Sequence, residues 1–98
     1  MRVVITGPAE VDLEDIFDFI ALDNVQAAVD YVRELRRRAL GVGEFPRMYR
    51  LRRELPARDL RTIPVGSHLV VYRIRRNRVE VLRFPHSAMD LAQLFGAK

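Results

Sequence analysis

A chain of 98 residues suffices for one domain spanning 1–98, with a modest core. About half of it is apolar and 31% charged, the balance of a soluble globular protein. Cysteine is absent, which excludes disulfide scaffolds, thiolate metal sites and cysteine nucleophiles, and two histidines, His68 and His86, are too few for a histidine zinc site. No apolar run is long enough to span a membrane, and the N-terminus turns polar too early for a signal peptide; the expected compartment is the cytoplasm. No metal or cofactor motif is present.

The net charge of +4 conceals a split. Residues 1–35 carry Arg2 and Arg33 against eight acids, a balance of −6. Residues 36–98 carry fourteen arginines and Lys98 against five acids, a balance of +10. Arginine suits bidentate pairing with carboxylate or phosphate, so the basic half favours an acidic partner, nucleic acid or acidic protein.

In chain order, the β-branched run over 2–6 predicts a strand, ended by Gly7-Pro8, with proline suited to a first helical turn. Ala9, Leu13, Ile16, Phe17 and Ile20 then fall on one helical face, with Glu10, Asp12, Glu14, Asp15 and Asp18 on the other. Leu22-Asp23-Asn24 breaks the pattern, and Asp23 or Asn24 can cap a second helix. Val25, Ala28, Val32, Leu35 and Ala39 carry that helix to about Leu40, with Gly41 and Gly43 as its stop. Residues 41–59 read as an arginine-rich irregular loop, the stretch expected to carry function or mobility.

The last third reads as β. Leu60–Val65 is a strand with Pro64 marking an edge or a bulge, and Gly66-Ser67 turns the chain. His68–Arg75 is the strongest strand, Arg76-Asn77 a tight turn with Asn77 at positive φ, and Arg78–Phe84 the return strand. Ser87–Phe95 predicts a short helix with Leu91, Leu94 and Phe95 on one face; the tail to Lys98 is expected to dock through Leu94 and Phe95. The order β-α-α-β-β-β-α implies an α+β fold with a helical hairpin on one face of a mainly antiparallel sheet.

Candidate chemistry centres on His86, which follows the last strand. It either serves acid–base catalysis on a phosphodiester, with Asp90 orienting its imidazole, or packs beneath the last helix. His68 reads as a surface or cross-strand partner. Arg61, Arg73 and Arg83 lie on strands. Sharing a face, they line a cationic groove; otherwise they are ordinary solvent-facing positions. Alternation places Tyr72 and Ile74 toward the core and Arg73 on the opposite face, free for a partner.

These stretches resemble the ParE/RelE superfamily of bacterial type II toxins. Pro8-Ala9-Glu10 through Ile16, with Phe19-Ile20-Ala21, is similar to the first helix of that family. Asp23-Asn24, Ala27-Ala28 and Tyr31-Val32 are similar to the second. Leu60-Arg61, Val65-Gly66 and Val70-Val71-Tyr72-Arg73 resemble its central sheet. Val79–Arg83 followed by His86 and Met89-Asp90 resembles its closing strand and tail.

The resemblance implies one of two activities. A ParE-like toxin inhibits DNA gyrase and is not itself an enzyme. A RelE-like toxin is a ribosome-dependent mRNA endoribonuclease. Either is neutralised by a cognate antitoxin, ParD-like or other, in a hetero-oligomer. Leu69-Val70-Val71 stands where a nuclease tends to place a basic residue before the aromatic, no lysine lies on the sheet, and no tyrosine follows His86. The tail resembles the ParE type more closely. A nuclease would be left with Arg61 and His86 as its catalytic pair. The residues expected to meet antitoxin or target are Arg61, Arg73, Arg83, His86 and Asp90.

Overall fold

The computed structural model describes residues 1–95 and follows the expected element order. Strand β1 is Arg2–Ile5 and helix α1 is Gly7–Ala21, with Pro8 in its first turn. Thr6, at the helix start, donates its hydroxyl to Val81 O at 2.9 Å rather than capping α1. Helix α2 is Val25–Gly41, capped by Asn24, whose side-chain oxygen accepts the Ala27 N–H at 3.0 Å.

Helix α2 ends at Gly41, as expected, but Gly41 keeps a right-handed φ of −68° and the chain continues into a 3-10 turn, Val42–Glu44. Gly43 is small for another reason: a Cβ there would collide with the Met1 carbonyl oxygen.

Strand β2 is Arg61–Val65, β3 His68–Arg75, β4 Arg78–Arg83, and α3 Leu91–Phe95. The sheet order is β1-β4-β3-β2, with β1 parallel to β4 and the other pairs antiparallel. Pro64 thus sits in an edge strand, where its missing N–H costs no ladder bond. Both Arg76 (φ 54°) and Asn77 (φ 60°) take positive φ, the requirement of a type I′ hairpin turn. The last helix is shorter than expected: Ser87–Met89 form a turn and α3 starts at Leu91. Residues 96–98 of the expected docked tail lie outside the described residues.

The main core lies between the helices and the sheet. Ala9 and Leu13 of α1 and Leu35 and Ala39 of α2 meet Ile63, Val65, Val70, Tyr72, Val79 and Val81. Burial pushes the Tyr72 phenol up to about 12, and its hydroxyl donates to Pro46 O at 2.8 Å. A second core on the other sheet face joins Leu55, Leu60, Val71 and Leu91. The loop over 45–60 therefore does structural work: Leu55 seals the far sheet face, and Arg52 N–H donates to Leu60 O at 2.8 Å.

The two charged halves of the chain pair with each other at three points. Glu10 chelates Arg36, Glu34 pairs with Arg37, and Asp12 chelates Arg83. Arg78 and Arg73 both hydrogen-bond Glu80 and hold its carboxyl below its ordinary 4.5; Arg36 does the same to Glu10. Carboxylates with depressed folded pKa values stabilise the fold above the unfolded value and cease to do so as pH falls through the folded one. Thermal unfolding midpoints are therefore expected to fall on acidification below about pH 4.5, and a flat profile down to about pH 3 would contradict these pairs.

Candidate functional site

Helical periodicity decides what the hairpin tip exposes. Ala9 and Leu13 of α1 are fully covered, whereas Ile16 and Ile20, nearer its C-terminal end, are only partly buried. Phe19 lies off the apolar stripe and is 77% exposed. Leu22 in the interhelix turn is 86% exposed and Val25 at the start of α2 is 60% exposed. Three large apolar residues in succession around one tip form an uncovered strip, the feature that marks interaction surfaces.

A cleft of about 430 Å³ adjoins the strip. Ile16, Phe19 and Ile20 of α1 form one wall; Tyr31 of α2, Ser67, His68 and His86 form the other, with Asp15 at the lip. The two histidines meet because the chain beyond β4 keeps pairing with the start of β3. Leu69 N–H donates to Pro85 O at 2.9 Å, Ser87 N–H to Ser67 O at 2.8 Å, and His68 faces His86. The rings stand edge to face, centroids 5.4 Å apart. Tyr31 Oη lies 2.7 Å from His68 Nδ1. Burial, then the neighbouring His86, holds His68 below its ordinary 6.5, opposed by Asp12.

Gly66 makes this arrangement possible. Its φ is +57°, and a Cβ there would sit 2.7 Å from Tyr31 Cε1 and 2.8 Å from Tyr31 Oη. Gly66→Ala combines backbone strain with that clash, and a loss of about 2 kcal/mol in unfolding free energy is expected by urea titration. Wild-type stability in the variant would show that the turn adapts freely.

The residues singled out from the sequence divide as follows. Arg61, Arg73 and Arg83 do not share a face. Arg61 lies opposite Tyr72 and donates to the carbonyls of Arg47 and Tyr49, pinning the loop. Arg73 points to the other sheet face, where its Nε meets Glu80 at 2.9 Å. Arg83 turns to the helices and binds Asp12 of α1, whose carboxylate raises the guanidinium pKa. On the sheet face opposite the helices, Arg73, Arg75 and Arg78 are paired with Glu80 or Asp59, and Leu55, Leu60 and Leu91 pack with Val71.

Asp90 does not orient His86. Its Oδ1 accepts Ala92 N–H at 3.0 Å and caps α3, while His86 Nδ1 accepts Ala88 N–H at 3.1 Å. His86 is exposed rather than packed beneath the last helix. Arg61 and His86 are also far apart: Arg61 opposes Tyr72, whereas His86 opposes His68, the other end of the β2–β3 pairing. Four residues of strand, about 13 Å, separate those ends. Among the described residues no three histidine, aspartate or glutamate side chains gather to hold a metal ion, and no helix is long and apolar enough to cross a membrane.

Sequence reasoning missed the strip and Tyr31. A phenylalanine on the charged side of α1 was the available signal for the strip. Nothing local announces that Tyr31 meets His68, 37 positions away.

A helical hairpin laid on one face of a four-stranded mixed sheet, with an uncovered apolar tip, defines a small two-layer α+β protein. A chain of the solved structure described as "Chromosomal ParDE TA system from P. aeruginosa" shares the fold, with a TM-score of 0.75 at 20% identity over 88% of this chain and 95% of that one. No curated protein sequence matches. The family model for "ParE toxin of type II toxin-antitoxin system, parDE" matches residues 3–91, and the chain belongs to that family.

Proposed function

We propose that this ParE-family toxin acts in the cytoplasm by inhibiting DNA gyrase, and that a cognate antitoxin holds it inactive in a hetero-oligomer by covering the hairpin tip and the adjoining cleft. The observation that carries gyrase over mRNA is the separation of Arg61 from His86. A phosphodiester cleaved by general acid–base catalysis needs its proton carrier and its charge-stabilising cation within reach of one phosphate. Here Nη1 of Arg61 is held by two backbone carbonyls, and His86 lies at the other end of the β2–β3 pairing. The uncovered strip of Phe19, Leu22 and Val25 supports a protein partner at the tip.

The test is a supercoiling and cleavage-complex assay with purified gyrase. Accumulated cleaved DNA, abolished by the antitoxin encoded in the adjacent gene, is the expected result. Unaffected gyrase together with ribosome-dependent mRNA cleavage lost in His86→Ala would replace this reading with the nuclease one.

A further inference from the structure

Hydrogen-bond accounting in the histidine cleft leaves two donors without acceptors. The backbone N–H of Ala88 donates to His86 Nδ1 at 3.1 Å. An amide N–H only donates, so that nitrogen carries a lone pair and the neutral ring holds its proton on Nε2. At His68 the assignment runs through Tyr31. Its Oη accepts Ser67 N–H at 3.0 Å, and its own proton can go to Val65 O at 3.4 Å or to His68 Nδ1 at 2.7 Å. The 2.7 Å contact is the stronger of the two, and with the phenol proton on it His68 is protonated on Nε2.

Neither Nε2 meets an acceptor among the described residues. Among the described residues no buried side-chain polar atom lacks a partner, so the half-buried His68 presents its Nε2 to solvent, and His86 is exposed. The facing wall of Ile16, Phe19 and Ile20 brings apolar side chains, and Asp15 at the lip bonds to neither ring.

We infer that the cleft takes a carboxylate carried beside an apolar side chain of the antitoxin, the oxygens on the Nε2–H groups of His68 and His86 and the apolar group against Ile16 and Phe19. The inference rests on the reading that the antitoxin covers this cleft. A carboxylate has two oxygens for two donors, where a single carbonyl has one. The charged and titratable groups facing the pair are Asp12 and Asp15 on α1, Tyr31 on α2 and Arg83 on β4; Asp12 and Arg83 neutralise each other. Burial and the neighbouring His86 disfavour the charged form of His68 in the free toxin, and an arriving carboxylate favours the imidazolium. Binding then takes up a proton and tightens as pH falls through the histidine range.

Phenylacetate is the probe and phenylacetamide the control, read by the ring resonances of both histidines. Phenylacetate is expected to move both sets saturably, with a dissociation constant at least about threefold lower at pH 6.0 than at pH 7.5, while the amide shows no such dependence. His68→Gln keeps an N–H donor but cannot ionise; it should retain binding and lose much of the pH dependence. Equal behaviour of acid and amide, or unmoved histidine signals, overturns the inference.

A second arm measures the affinity of the adjacent-gene antitoxin at both pH values for wild type and Phe19→Asp. Weaker binding by Phe19→Asp with a flat wild-type pH profile leaves the antitoxin on the cleft and overturns the carboxylate. Unchanged binding by Phe19→Asp removes the antitoxin from the cleft and overturns both readings. Weaker binding by Phe19→Asp with acid-tightened wild-type affinity supports both.

Discussion

Asp12→Ala is expected to lower the unfolding free energy by about 2–3 kcal/mol, a larger loss than an ordinary surface ion pair produces. Asp12 Oδ2 accepts Arg83 Nε at 2.7 Å and Phe84 N–H at 2.8 Å, and Oδ1 accepts Arg83 Nη2 at 2.9 Å. The carboxylate is only 12% exposed, so solvent replaces little of what it supplies. Its removal strands the Phe84 amide, at a cost of about 1–3 kcal/mol, and leaves a guanidinium without its counter-charge. Arg83 is 35% exposed, which tempers the second part. Asp12→Asn keeps one acceptor oxygen and should lose about half as much. Urea midpoints of the three proteins check this, and an unmoved Asp12→Ala midpoint would show that α1 is held to β4 by apolar packing alone. The same change should disturb the cleft, because Phe84-Pro85 leads directly into His86.

Phe19→Asp is expected to weaken antitoxin binding about 30- to 100-fold, roughly 2–3 kcal/mol, while leaving folding stability within about 0.5 kcal/mol of wild type. Phe19 is 77% exposed, so the fold gains little from it. It walls the histidine cleft on one side and, with Ile20, Leu22 and Ala27, a second apolar depression on the other. An aromatic at the centre of an apolar patch is where binding energy concentrates. The salt response discriminates further. A partner held on an arginine face should be released by added salt, whereas one held on the apolar strip should not. The pairing of Arg73 and Arg83 with carboxylates of the chain itself favours the second outcome. Titration calorimetry at low and high salt measures both; undiminished affinity in Phe19→Asp would move the antitoxin elsewhere.

The elements were legible where the signal was periodic and local. Ala9, Leu13, Ile16 and Ile20 mark the inward face of α1, and Ala28, Leu35 and Ala39 that of α2, because apolar residues at helical spacing need only a surface to cover them. Alternation in β3 placed Tyr72 toward the helices and Arg73 away from them. The errors arose where an element ends or bends. Leu82 is an extra residue in β4, since Val71 opposes Arg83 while Tyr72 opposes Val81. That irregularity accompanies the split between Arg73 and Arg83, which bind carboxylates on opposite sides of the sheet.

The sequence by itself determined the strands, the helices, their order, the turn at Arg76-Asn77 and the resemblance to a toxin family, because each rests on neighbouring residues or on the order of segments. Only the tertiary structure decided which charges cancel and which side chains share a cleft. Asp12 finds Arg83 across 71 positions, and Tyr31, His68 and His86 converge from three elements. Such meetings depend on strand register, and a shift of one residue reassigns every contact. The same geometry leaves Phe19 uncovered: α1 buries Ala9 and Leu13 in its first turns, and its end remains open to a partner.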